Sequence, residues 1–184
     1  MSCFLEEKEG TLNAVLIFKR SQLLYDIKNY AFIEGSVMET ESNHNRHMVQ
    51  DVGEEGNVDR VTRVLDLAIA RCRELLYPYT KREIDRPALD DRLKERPTYG
   101  IVLTVPKGFS QTSLTLLERL VHEYLVCKAV SDWLSITNPP KAQTWEVKAG
   151  HVFVDFSSFE DHGRKPIIMV VSHWALSLPH THCL

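Results

Sequence analysis

The chain has 184 residues, of which 43% are apolar and 26% charged, with a formal net charge of −3. That balance fits a globular protein with a sizeable core, and it excludes a protein that holds nucleic acid through overall positive charge. The four cysteines, Cys3, Cys72, Cys127 and Cys183, form no CxxC pair, so a reducing compartment is expected and a disulfide framework is not.

The opening, MSCFLEEKEG, has neither a basic region nor a long apolar run, so no signal peptide is expected. The longest purely apolar runs, AVLIF and IIMVV, are five residues each, far short of the roughly 20 that a membrane helix needs. Residues 12–19 (LNAVLIFK) read as a strand. Ser21 then offers an N-cap for a helix over QLLYDIKNYAFI, where Leu23, Leu24, Ile27, Tyr30 and Ala31 recur at helical spacing. From Glu34 to Gly56 the pattern dissolves into polar and acidic residues, and a long loop is expected over 34–56.

Asn57 can cap the next helix, 58–77. Its apolar residues, from Val58 through Val61, Leu65, Ile69 and Cys72 to Leu76, fall within an arc of about 140° at 100° per residue, and Pro78 ends it. Residues 79–98 read as a charged connector with one helical turn at ALDDRLK. Tyr99–Val105 (YGIVLTV) is the second strand, ended by Pro106-Lys107-Gly108, and its natural partner lies near residue 15. A long helix follows, capped by Ser110, Thr112 or Ser113 and closed by TNPP at 137–140. Pro139 or Pro140 can start a further helix, PKAQTWEVKA, with Gly150 as its stop. The predicted fold is therefore mainly α: a small helical bundle with a short β-hairpin or ribbon. Residues 1–150 form the helical domain, and 151–184 form an extended or β-like C-terminal arm.

His122-Glu123 in LVHEYLVCKAVSDWL opens like a zinc-protease helix, which needs a second His four residues on. Position 126 is Val, and Cys127 is turned about 140° from His122. The pair is expected on a solvated polar face with Glu118 and Arg119, and no catalytic, cofactor or metal residue is assigned. His173, His180, His182 and Cys183 lack the spacing of a structural metal site. His44 and His47 are weaker candidates still. The second half of the helix is apolar all round, which predicts either the central helix of the domain or a face covered by another subunit. In the second case Val126, Val130, Trp133, Leu134, Ile136 and Trp145 would carry the interface.

The order of segments, from GNVDRVTRVLDLAIARCRELLYPYTK through the strand Y-x-I-x-L-x-x-P-x-x-F to HEYLVCKAVSDWLSITNP, resembles small helical proteins of phage and prophage tail-module clusters, particularly those of Bacteroidales. The resemblance covers about residues 15–150, and the segment after WEVKA departs from it. It implies a non-enzymatic structural subunit of the virion, in the head–tail connector, neck or tail-completion class, made in the host cytoplasm. Such subunits form homo-oligomeric rings, contact portal or tail proteins, bind no cofactor or membrane, and meet nucleic acid only as DNA passing through a channel. Two other readings stay open: a regulatory or nucleic-acid-associated protein using Arg60, Arg63, Arg71 and Arg73 of the 58–77 helix, and a metal-dependent hydrolase built from His122, Glu123 and the tail histidines.

Overall fold

The structure, a computed structural model, describes residues 3–8, 11–39, 42–76, 97–106 and 109–157. Strands β1 (Cys3–Lys8), β2 (Thr11–Lys19) and β3 (Thr98–Pro106) form an antiparallel sheet in the order β1-β2-β3. The pairing of β2 with β3 is the one expected; β1 adds a strand not foreseen. In register, Val15 faces Val102 and Phe18 faces Tyr99. Period two decides the burial: Ala14, Leu16, Phe18, Tyr99, Ile101 and Leu103 are all at most 2% exposed. The other face carries the half-buried Val15, Ile17 and Val102, and there Thr104 Oγ1 donates to Asn13 Oδ1 at 3.0 Å.

Five α-helices complete the described chain: α1 (Arg20–Ser36), α2 (Asn43–Gln50), α3 (Glu55–Leu75), α4 (Gln111–Thr137) and α5 (Pro139–Ser157). The chain is mainly α, as its periodicity predicted. Helix α1 starts directly from β2, so its N-cap is Lys19 and not Ser21. Likewise Glu54, not Asn57, precedes α3. The Asn57 side chain instead donates to the Asp51 carbonyl at 2.8 Å.

The expected loop over 34–56 is corrected. Ser42 caps α2 by accepting from the Asn45 N–H, and a 3-10 turn over Asp51–Gly53 leads on toward α3. Helix α2 buries only Val49 and owes its place to close packing on α1. A Cβ at Gly35 would come within 2.7 Å of Gln50 Cγ and 3.0 Å of the Arg46 carbonyl oxygen. Only glycine allows that approach.

Helix α4 is the centre of the bundle. It packs along most of α5 and also against α3, α1 and α2, which explains why its second half is apolar on every side. Pro139 opens α5 as expected. Gly150, however, does not stop it. The helix runs on through Val152 and Phe153, which pack on the core, and that burial outweighs the cost of about 1 kcal/mol for a helical glycine. Residues 151–157 are therefore helical, and the arm expected from 151 lies beyond that point outside the described residues, as do residues 79–96 of the expected 79–98 connector and the tail histidines, while Thr98 already belongs to β3. No helix among the described residues is long and apolar enough to cross a membrane.

Candidate functional site

Of the polar residues of α4 that the wheel placed toward solvent, Arg119 is exposed as expected, while Glu118 and His122 are covered and Glu123 is half-buried. Helix α1 covers His122, whose side chain is 11% exposed and whose Nε2 lies 2.7 Å from Asp26 Oδ2. Glu118 is 6% exposed. Lys148 of α5 donates to Glu123 Oε1. Polar groups of three helices thus meet where a solvated face was expected, because two further helices pack on that side of α4.

The Glu123–Lys148 pair stands inside an aromatic frame. Lys148 Nζ lies 5.0 Å from the Tyr30 ring centroid and 4.7 Å from that of Trp145, within cation–π range. The two rings meet edge to face, with centroids 4.8 Å apart. Burial opposes the charge on Lys148, but the hydrogen bond to Glu123 and the negative groups around it outweigh that and raise its pKa. Burial, reinforced by Glu123, also raises that of Tyr30. Trp145 Nε1 donates to Glu34 Oε1 at 3.0 Å, and Lys141 pairs with Glu34 Oε2 at 3.7 Å. One layer lower, Lys128 bonds both carboxylate oxygens of Glu146 at 2.7 Å, and Ser131 donates to the Ala142 carbonyl at 3.1 Å.

An Asp–His pair and a cysteine on the same helix invite a catalytic reading, but no hydrogen bond links them among the described residues. A base must reach the nucleophile it activates. His122 Nε2 is committed to Asp26, while its buried Nδ1 meets no hydrogen-bond partner among the described residues. Cys127 Sγ instead approaches Glu123 Oε1 at 3.8 Å, and burial pushes its pKa up to about 12. At neutral pH that thiol is protonated and a poor nucleophile. Burial does the same to Cys72, also to about 12. Among the described residues no three of His, Cys, Asp and Glu converge as a metal-binding group.

Of the six residues assigned to an interface, five are occupied within the chain itself. Val126, Val130 and Leu134 are fully buried, Trp133 is 7% and Trp145 8% exposed, and only Ile136 is open at 53%. Trp133 Nε1 donates to the Val49 carbonyl of α2 at 2.7 Å. The apolar all-round half of α4 is therefore core, which is the other of the two alternatives its pattern allowed.

The arginines of α3 are engaged as well. Arg60 holds Asp132 through two bonds of 2.7 and 3.2 Å, Arg73 donates twice to the Gly100 carbonyl, and Arg71 lies 5.1 Å over the Phe153 ring. Three of the four thus stabilise contacts inside the fold.

Apolar surface lies elsewhere. On α1, Leu23, Ile27, Ala31 and Gly35 face the core. Away from that face Tyr25 is 66% and Phe32 59% exposed, about 20° apart at 100° per residue, while Ile33 and, just past the helix end, Val37 at 62% lie about 80–140° round from them. A second open feature is a groove of about 400 Å³ where α3 and α5 part over α4, floored by Tyr124, Lys128 and Ser135 and walled by Val64 and Leu67. No protein-family model, curated protein or solved structure matches the chain.

Proposed function

We propose that this chain is a non-enzymatic assembly subunit that associates with further copies of itself. Within that class it serves as the virion component that the resemblance implies: a head–tail connector, neck or tail-completion subunit, with portal or tail proteins as its neighbours. The observation that carries the reading is the outer face of α1. Tyr25 and Phe32 together expose on the order of 250 Å² if each aromatic side chain offers ~200 Å². That lies just under the roughly 300–600 Å² of the largest apolar patch on a typical monomer. Aromatic anchors of this kind are enriched at the centres of interfaces.

The test is a double variant, Tyr25→Ser with Phe32→Glu, measured by light scattering. Both side chains stand more than half exposed, so the variant is expected to keep the wild-type unfolding temperature within the small range of surface substitutions. Wild type is expected above the monomer mass and the variant at it. Equal masses for the two proteins contradict the reading.

A further inference from the structure

The sheet has two outer edges, and their sequences differ in charge. The β1 sequence includes Glu6, Glu7 and Lys8, whereas the nine residues of β3, Thr98–Pro106, include no charged one. Charged side chains are one means by which natural sheets keep an edge strand from pairing with another chain. Strand β3 lacks that protection.

Two hydrogen-bonding patterns fix which backbone groups of β3 look outward. The Arg20 N–H donates to the Pro97 carbonyl at 3.1 Å, one step beyond the Lys19↔Thr98 pair, so the odd residues Tyr99, Ile101, Leu103 and Val105 bond to β2. The even residues turn their backbone groups away from β2, and the Gly100 carbonyl accordingly accepts from Arg73 at 2.8 and 3.1 Å. Further along, the N–H and C=O groups of Val102 and Thr104 meet no partner among the described residues. Pro106 closes the row with no N–H to offer, on the outward side where an edge strand accommodates proline.

Resting on the self-association proposed above, and separate from Tyr25 and Phe32, we infer that this edge pairs antiparallel with β3 of a second copy, Leu103 opposite Leu103. In that register Val102 and Thr104 of different copies exchange both backbone bonds, and the two-fold axis repeats the pair. Gly100 then faces Pro106 of the second copy. The Gly100 N–H donates to the proline carbonyl, while the Gly100 carbonyl, already held by Arg73, stands opposite the one residue without an N–H. Every outward backbone group from Gly100 to Pro106 is thereby used. A slip that sets Thr104 opposite Gly100 aims a donor at the carbonyl Arg73 occupies. A slip the other way sets Val102 opposite Pro106 and leaves the Val102 carbonyl without a donor. No like charges meet in the pair, because β3 carries none.

The experiment mixes two full-length single variants, Val102→Cys and Thr104→Cys, under mild oxidation. In the inferred register residues 102 and 104 of different copies have Cα atoms about 5.5 Å apart, within the span of a disulfide. Residue 102 and its own counterpart stand roughly 9 Å apart by the same strand geometry, too far to bridge. A 102–104 disulfide, mapped by peptide mass in the mixture and absent from either variant alone, is the expected result. On wild type, which needs no substitution in the strand, hydrogen exchange at the Val102 and Thr104 amides is expected to slow at least about tenfold from dilute to concentrated protein. Leu103, bonded to β2, stays protected throughout. Equal crosslinking in the single-variant samples, or exchange at Val102 and Thr104 that keeps its rate while the mass grows, overturns the β3 contact and leaves self-association standing. A monomer at every concentration overturns both.

Discussion

Replacing Trp133 with alanine is expected to lower the unfolding free energy by about 3–5 kcal/mol, the range for a large aromatic lost from a core. Two contributions add. The indole is 7% exposed near the C-terminal end of the central helix, so its removal leaves a cavity that the packed neighbours cannot fully collapse to fill. Its Nε1–H also satisfies the Val49 carbonyl at 2.7 Å, and an orphaned buried carbonyl costs roughly 1–3 kcal/mol. Trp133→Phe separates the two, since it keeps most of the volume and loses only the hydrogen bond. Urea unfolding at two protein concentrations is the check. A core residue gives the same loss at both concentrations, whereas an interface residue would show its effect only where the protein is assembled.

Phe18→Ala is expected to cost about as much, roughly 3–5 kcal/mol, and for a different structural reason. Phe18 is fully buried and stands opposite Tyr99, itself 2% exposed, in the β2–β3 register. It is also the second-last residue of β2 before α1 begins at Arg20. The ring therefore ties the sheet to the bundle at the point where strand becomes helix. Its loss removes a cross-strand aromatic contact and loosens the entry of α1. Val15→Ala, on the half-buried face of the same strand, is expected to cost well under half as much, in line with its smaller buried area. Similar losses at the two positions would mean that the sheet face carrying Val15 is also core.

What could be read from the sequence follows from how local each signal is. Helix α3 was legible because its apolar residues repeat at the helical period, and α5 because Pro139 marks its start. Strand β1 was not. CFLEEK has too many charges to look like a strand, and it becomes one by pairing along β2 from Cys3↔Leu16 to Lys8↔Thr11. The Glu9-Gly10 step between the strands is not one of the Asn-Gly, Asp-Gly or Gly-Gly pairs that announce a two-residue hairpin. Helix α2 was missed because one buried residue makes no period, although Ser42 three residues before Asn45 was a readable cap.

The candidate site was harder for the same reason. Nothing near His122 in sequence announces Asp26, which is 96 residues away, and nothing near Glu123 announces Lys148. A helical wheel separates apolar from polar positions, but it cannot tell a polar position facing water from one facing another helix's opposite charge. The outer face of α1 was hidden by the opposite ambiguity. Tyr25, Phe32 and Ile33 belong to a helix apolar on several sides, and only the packing shows which side the core takes.

Hydroxyl-radical footprinting of wild-type protein, dilute and concentrated, reads that outer face directly. Oxidation of Tyr25 and Phe32 is expected to slow as concentration rises and the mass increases, while Leu116, which is 49% exposed on α4, keeps its rate. Rates at Tyr25 and Phe32 that stay constant while the mass grows would contradict the account.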